Sequence, residues 1–265
     1  MQRSELIVAP DHLCCSAMAP EHTLSAPPSL GDLAQDQPVA LFLDFDGTLV
    51  DIAPTPDSIM VPQGLAASLR CLSENLSGRL ALVSGRSVAD LRRHLGHIAI
   101  ACAGSHGVER FNADGTPTGP GVEPVPTEVT TALRTFALAR DGLAYEDKSY
   151  GAALHFRARP ELGEEAIAHA TKVANDAGMS LKHGSCVVEI VGKDAAKSTA
   201  VSAFMAAEPF VGARPVFVGD DLTDEDGFRA ASELGGFGIV VGERVETRAR
   251  YRIDGPQGVR TWLGI

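Results

Sequence analysis

The sequence predicts an α/β fold: a Rossmann-like parallel-sheet core with an inserted α+β cap domain. Three observations carry this. Short apolar runs, Val39 to Leu43, Leu80 to Val83 and Ile98 to Ala103, alternate with helical periodicity, the β-α-β-α-β order of a parallel sheet with right-handed crossovers. Between about residues 111 and 190 the order changes to α-β-β-α-β-β. The parallel pattern then resumes. The expected division is a flexible N-terminal extension over 1–35, a core over 36–110 and 191–265, and a cap over 111–190.

Each element has its own signal. The first 35 or so residues scatter Pro, Ser, Ala and Asp without a period, and Cys14-Cys15 reads as an incidental pair there. Val39 to Leu43 has the length of a buried strand and ends at Asp44-Phe45-Asp46-Gly47-Thr48. After a Pro-rich loop, Ala53 to Pro62, Leu65, Leu69, Leu72 and Leu76 mark a helix. Leu80 to Val83 is a strand ending at Ser84-Gly85-Arg86, and Val88, Leu91 and Leu95 mark a short helix. Ile98 to Ala103 is a third strand, ending at Gly104-Ser105-His106-Gly107. Asn112 to Pro126 reads as a junction.

The cap then has a helix over about Glu128 to Arg140 and strands over about Leu143 to Tyr150 and Ala152 to Arg157. A helix over about Glu161 to Gly178 follows, then strands around Leu181 and Cys186 to Ile190, turning at His183-Gly184-Ser185. A helix from Lys197 returns to the core. Pro215 to Val218 is a strand ending at Gly219-Asp220-Asp221, followed by a helix near Glu225 to Leu234 and a strand Phe237 to Val241.

Composition narrows the function. A chain of 265 residues with 45% hydrophobic content can bury a sizeable core. Its 23 Lys and Arg against 34 Asp and Glu leave a formal net charge of −11, which argues against a nucleic-acid partner or an anionic membrane surface. A small anionic substrate is still compatible with a local basic pocket and a metal. The five cysteines form no CxxC, so neither a disulfide framework nor a zinc site is expected, and the default location is a reducing cytoplasm. No window approaches a membrane span, and no secretory signal pattern is present.

The chemistry gathers at strand ends, where open α/β sheets place ligands. Asp44 and Asp46 are two apart and share a strand face. Paired carboxylates resist ionisation unless a cation joins them, and all-oxygen donors suit Mg²⁺. An ionised, metal-held Asp is also a nucleophile toward phosphorus. Ser84 offers a hydroxyl to a phosphate oxygen, and Asp220-Asp221 adds two more carboxylates to the same edge. Gly-Asp-Asp alone is equally good turn and helix-cap material.

In the cap, Glu146 and Lys148 share one strand face, and His155 and Arg157 share a face of the next strand. Such a face is either solvated or a floor of donors and acceptors for sugar hydroxyls. Arg86 and His106 either contact substrate or brace the phosphate site, with a structural His106 bonded within its turn as the alternative. Lys193 and Lys197, four apart, could share a helix face.

In this order the motifs resemble those of the haloacid dehalogenase-like phosphatases. The resemblance implies that Asp44 is the nucleophile and Asp46 the general acid/base. It implies Mg²⁺ on the Asp44 side chain, the Asp46 backbone carbonyl and an Asp of the Gly219-Asp220-Asp221 turn, Asp220 being favoured with Asp221 and Asp224 in support. Within that superfamily the chain is similar to the trehalose-phosphate phosphatase family over roughly Pro38 to Leu263. The shared stretches include Ser84-Gly85-Arg86, Glu146-Asp147-Lys148, His155-Phe156-Arg157, Val188-Glu189-Ile190 and Gly219 to Glu225.

That resemblance gives the motif Lys to Lys197, followed here by Ser198 where Gly is usual; a Ser at a helix start is a good cap. It gives the sugar to Glu146, Lys148 and Glu189, and makes the cap the part that sets substrate choice. The implied activity is hydrolysis of trehalose 6-phosphate. The alternatives are another sugar phosphate (sucrose phosphate, glucosylglycerol phosphate or mannosyl phosphoglycerate) and, less favoured, a non-catalytic regulatory domain. A trehalose-phosphate synthase is a candidate partner.

Overall fold

A computed structural model describes residues 24–53, 58–119, 121, 123–184 and 186–265. Residues 1–23 of the expected extension, with Cys14-Cys15, and parts of the Pro-rich loop, the junction and the Ser185 turn lie outside the described residues. In chain order the elements are α1 (Leu30–Asp36), β1 (Val39–Leu43), α2 (Leu65–Asn75), β2 (Leu80–Val83), α3 (Val88–Leu95), β3 (Ala101–Gly104) and β4 (Glu109–Phe111). Next come α4 (Thr127–Leu138), β5 (Ala144–Lys148), β6 (Gly151–His155), α5 (Gly163–Asp176), β7 (Ser180–Gly184) and β8 (Val187–Val191). The chain ends with α6 (Lys197–Met205), β9 (Arg214–Gly219), α7 (Glu225–Glu233), β10 (Phe237–Val241), β11 (Tyr251–Ile253) and α8 (Pro256–Leu263).

The strands form two sheets. A seven-stranded sheet has the order β11-β10-β9-β1-β2-β3-β4, parallel except for the β3–β4 pair. β1 is central and all five of its residues are buried, because helices cover both faces. Val39, Leu41 and Leu43 pack into one apolar cluster with α2, α3 and α8. Ala40 and Phe42 pack into the opposite one with α6 and α7. Each large side chain so buried contributes on the order of 1.5–3 kcal/mol.

The second sheet, β5-β6-β8-β7, is antiparallel. Its strands alternate. Ala152, Leu154, Val188 and Ile190 point to the apolar cluster shared with α4 and α5. The register puts Glu146, Ala153, Glu189 and Lys182 in one row of the other face. Small residues open that face: a Cβ on Gly151 would lie 2.6 Å from Glu189 Oε1.

Three expectations need correction. From residue 24 to 35 the expected extension is instead folded chain, with α1 running on to Asp36. Ser29 caps α1 by accepting from Asp32 N, Leu33 is 6% exposed, and Trp262 Nε1 donates to the Pro28 carbonyl at 2.8 Å. Its anchors lie more than 200 residues away, so no local period announces it. The third core strand starts at Ala101 and is followed by the unexpected β4, an antiparallel edge strand too short to show alternation. The strand expected to run to Arg157 ends at His155; Phe156 N bonds the Cys186 carbonyl, and Arg157 stands exposed in the turn beyond.

Candidate active site

β1 stops at Leu43, and the Asp44 N–H bonds the Val218 carbonyl of β9 at 2.9 Å. The chain then turns sharply, with Leu49 N and Val50 N both bonding the Phe45 carbonyl. Gly47 makes the turn at φ +70°, and a Cβ there would lie 2.1 Å from Asp220 Oδ2. The tight turn therefore brings two strand ends together. Thr48, fully buried, donates its hydroxyl to Asp220 Oδ1 at 3.2 Å.

Four charged groups meet there. Asp44, Asp220 and Asp224 each bring one carboxylate oxygen within 4.8 Å of the others. Lys197 opens α6 and is 2% exposed. Its Nζ lies 3.0 Å from Asp44 Oδ2 and 2.6 Å from Asp224 Oδ1. Burial works against the Lys197 charge, but Asp224 and Asp44 outweigh it and hold the ammonium above its ordinary range. One cation does not balance three carboxylates. Burial, opposed by Lys197, raises Asp44 and Asp224, and burial with the neighbouring Asp224 pushes Asp220 up to about 7. Oxygen donors at this density fit a hard divalent cation.

The structure separates the acidic residues of this edge by position. Asp221 stands outside the cluster: its carboxylate accepts from Leu222 N as a helix cap and lies 3.6 Å from Arg244. Asp224 takes the third place because its Oδ2 accepts from Asp221 N at 2.8 Å, which turns its other oxygen to Lys197. The Asp221-x-x-Asp224 capping pattern was the available signal. Asp46, expected to face the same way as Asp44, is gripped by Arg86 through Nε to Oδ2 at 2.6 Å and Nη2 to Oδ1 at 2.8 Å. The remaining Arg86 nitrogen, Nη1, binds Asp90 at 2.5 Å. The strand ends before Asp44, so strand alternation no longer applies to Asp46.

Ser84 is 1% exposed and its Oγ accepts the Arg86 N–H at 3.1 Å. His106 is held on two sides: its backbone N–H bonds the Ser84 carbonyl at the end of β2, and its Nε2 lies 3.6 Å from Glu189 Oε2 of the second sheet. Glu109 of β4 braces this turn through Ser105 Oγ at 2.6 Å. Lys193 is exposed ahead of α6, so it shares no helix face with Lys197, and Ala196 rather than Ser198 occupies the cap position.

The second sheet presents paired charges. Lys148 Nζ lies 2.5 Å from Glu189 Oε2, and His155 Nε2 lies 2.7 Å from Glu146 Oε2. Burial would raise Glu189, but His106 and Lys148 hold it down at about 2. His155 holds Glu146 below its ordinary value, against its partial burial. Glu146, Lys148, His155 and Glu189 are thus brought together. Arg157 is on no strand face with them.

The sequence profile of a family described as trehalose-phosphatase matches residues 42–257. The chain is 36% identical over 226 residues to the trehalose-6-phosphate phosphatase of Escherichia coli (strain K12), spanning 84% of this chain and 85% of that one. It is 34% identical over 249 residues to the trehalose-phosphate phosphatase of Mycobacterium leprae, spanning 86% of this chain and 57% of that one. Among solved structures, the C-terminal domain of a C. albicans trehalose-6-phosphate phosphatase shares the fold. Its TM-score is 0.74 at 21% identity, over 91% of this chain and 97% of that one.

Proposed function

The chain belongs to the trehalose-phosphatase family, and from that membership we propose that it hydrolyses trehalose 6-phosphate to trehalose and phosphate, Mg²⁺-dependently, through an aspartyl-phosphate on Asp44. The observation that carries the chemistry is the buried meeting of Asp44, Asp220, Asp224 and Lys197 at one sheet edge. Asp44, Asp220 and Asp224 would hold the cation together with the Asp46 backbone carbonyl, with Asp221 left as a helix cap. Bound there, Mg²⁺ supplies positive charge against the phosphoryl oxygens and the crowded carboxylates.

Asp44 attacks phosphorus while Lys197 keeps it oriented and ionised. Ser84, oriented by the Arg86 N–H on its Oγ, donates its hydroxyl to a phosphoryl oxygen. The P–O bond to the sugar breaks and Asp46 delivers a proton to the departing alkoxide. Asp46 then takes a proton from water as that water attacks phosphorus. Phosphate leaves and Asp44 is restored. Arg86 donates to both Asp46 oxygens, so the Asp46–Arg86 pair has to loosen for Asp46 to reach the departing oxygen.

In this reading residues 111–190 are the cap that selects the sugar, with Glu146, Lys148, His155 and Glu189 as its floor and His106 joining floor to phosphate site. Supply of the substrate by a trehalose-phosphate synthase belongs to the same reading. Among the described residues no helix is long and apolar enough to cross a membrane.

Phosphate release from a panel of sugar phosphates, with Mg²⁺ and with EDTA, tests the proposal. We expect strong metal-dependent preference for trehalose 6-phosphate. Preference for sucrose phosphate or another sugar phosphate refutes the substrate; no release from folded protein with Mg²⁺ refutes catalysis.

A further inference from the structure

Lys182 lies on β7 directly opposite Glu189 of β8, on the sheet face that also carries Glu146 and Lys148. Its ammonium does not turn to these carboxylates. Its Nζ lies 3.5 Å from Oδ2 of Asp226, the second residue of α7 in the core. Asp226 directly follows the segment that bears Asp220 and Asp224. The pair therefore ties the cap sheet to the stretch of chain that positions the acidic cluster. The other pairs on this face behave differently. Lys148–Glu189 and His155–Glu146 are internal to the sheet and leave the distance between sheet and core unset. His106–Glu189, at 3.6 Å, crosses to the core at a second point, the turn after β3. Two separated crossings are what fixes a tilt as well as a distance.

Building on the function proposed above, we propose that Lys182 and Asp226 form a positioning pair, setting how far the sugar floor stands from Asp44 so that both ends of one substrate are held at once. The pair keeps partial contact with water, the side chains being 20% and 39% exposed. Such a contact is screened by salt and adds little to stability, which suits one that forms and breaks as substrate enters and product leaves. Neither residue touches the reacting atoms; they act through the placement of Glu146, Lys148 and Glu189.

The test compares Lys182→Gln, Asp226→Asn, the double variant, and the charge exchange Lys182→Asp with Asp226→Lys. Each is assayed on trehalose 6-phosphate and on p-nitrophenyl phosphate, which is too small to bridge floor and Asp44. We expect each single change to raise KM for the sugar phosphate about fivefold, a loss in the range of one partly exposed ion pair. The double change should be no worse than either single one, the exchange should restore part of the loss, and p-nitrophenyl phosphate kinetics should stay at wild-type values. Unchanged KM in the single variants overturns the pair. Equal losses on both substrates overturn it in favour of a merely structural contact, and a loss at Lys182 without one at Asp226 overturns it in favour of direct sugar contact by Lys182. If the wild type prefers a different sugar phosphate, the substrate reading fails, and the pair is judged by the same comparison on that sugar phosphate.

Discussion

Asp44 is a costly residue for the fold. Burial pushes its carboxyl well up from the ordinary range, so its charge is tolerated only because Lys197 is 3.0 Å away. Asp44→Asn should therefore remove turnover while raising Tm in EDTA by about 2 °C or more, since relieving about 1 kcal/mol shifts a domain of this size by that much. Phosphate release and a thermal melt check both halves, and turnover retained in this variant refutes the nucleophile. Glu189 is the opposite case. Its carboxyl sits at about 2 rather than the ordinary 4.5, held by His106 and Lys148 against its burial. A depressed folded value adds stability that is fully present above 4.5 and is lost as pH falls toward about 2. At about 1.36 kcal/mol per unit this is on the order of 3 kcal/mol. Wild type and Glu189→Gln should differ most in unfolding free energy above pH 4.5 and converge toward pH 2; a gap that does not depend on pH refutes the pairing.

At the scale of elements, the site depends on how strands end. The turn after β1 places Gly47 against Asp220, and the end of β9 places Gly219 where a Cβ would lie 2.2 Å from Asp224 Cγ. Gly47→Ala adds a Cβ at φ +70° in a space already filled, so it should cost about 1–3 kcal/mol and spread the carboxylate cluster. Urea unfolding and Mg²⁺-dependent phosphate release measure the two effects, and wild-type values for both contradict the packing described. Strand ends also explain which site residues were legible. Asp44, Ser84 and Asp220 follow apolar runs, so periodicity located them. Asp46 and Asp221 sit one or two residues further on, where turn and cap geometry, rather than strand alternation, directs the side chain. Asp226 carries no pattern of its own in the sequence.

At the scale of the molecule, the α1 segment and α8 close one face of the core sheet together. Leu33 and Leu263 enter the same apolar cluster, and Trp262 holds the Pro28 carbonyl. Leu33→Ala should destabilise the fold by about 2–4 kcal/mol, as for other buried leucines, without altering KM, because the site lies at the strand ends rather than on this face. A loss below about 0.5 kcal/mol in urea unfolding contradicts the ordering of this segment. By itself the sequence determined the α/β class, the change of pattern between core and cap, and the residue types needed for phosphoryl chemistry, because apolar period and strand-end motifs are local properties. Only the tertiary structure decided that residues 24–36 pack on the core, that Asp224 replaces Asp221 in the acidic cluster, that Arg86 grips Asp46, and that Lys182 reaches across to Asp226. Each of these rests on partners from distant parts of the chain meeting at distances a period cannot encode.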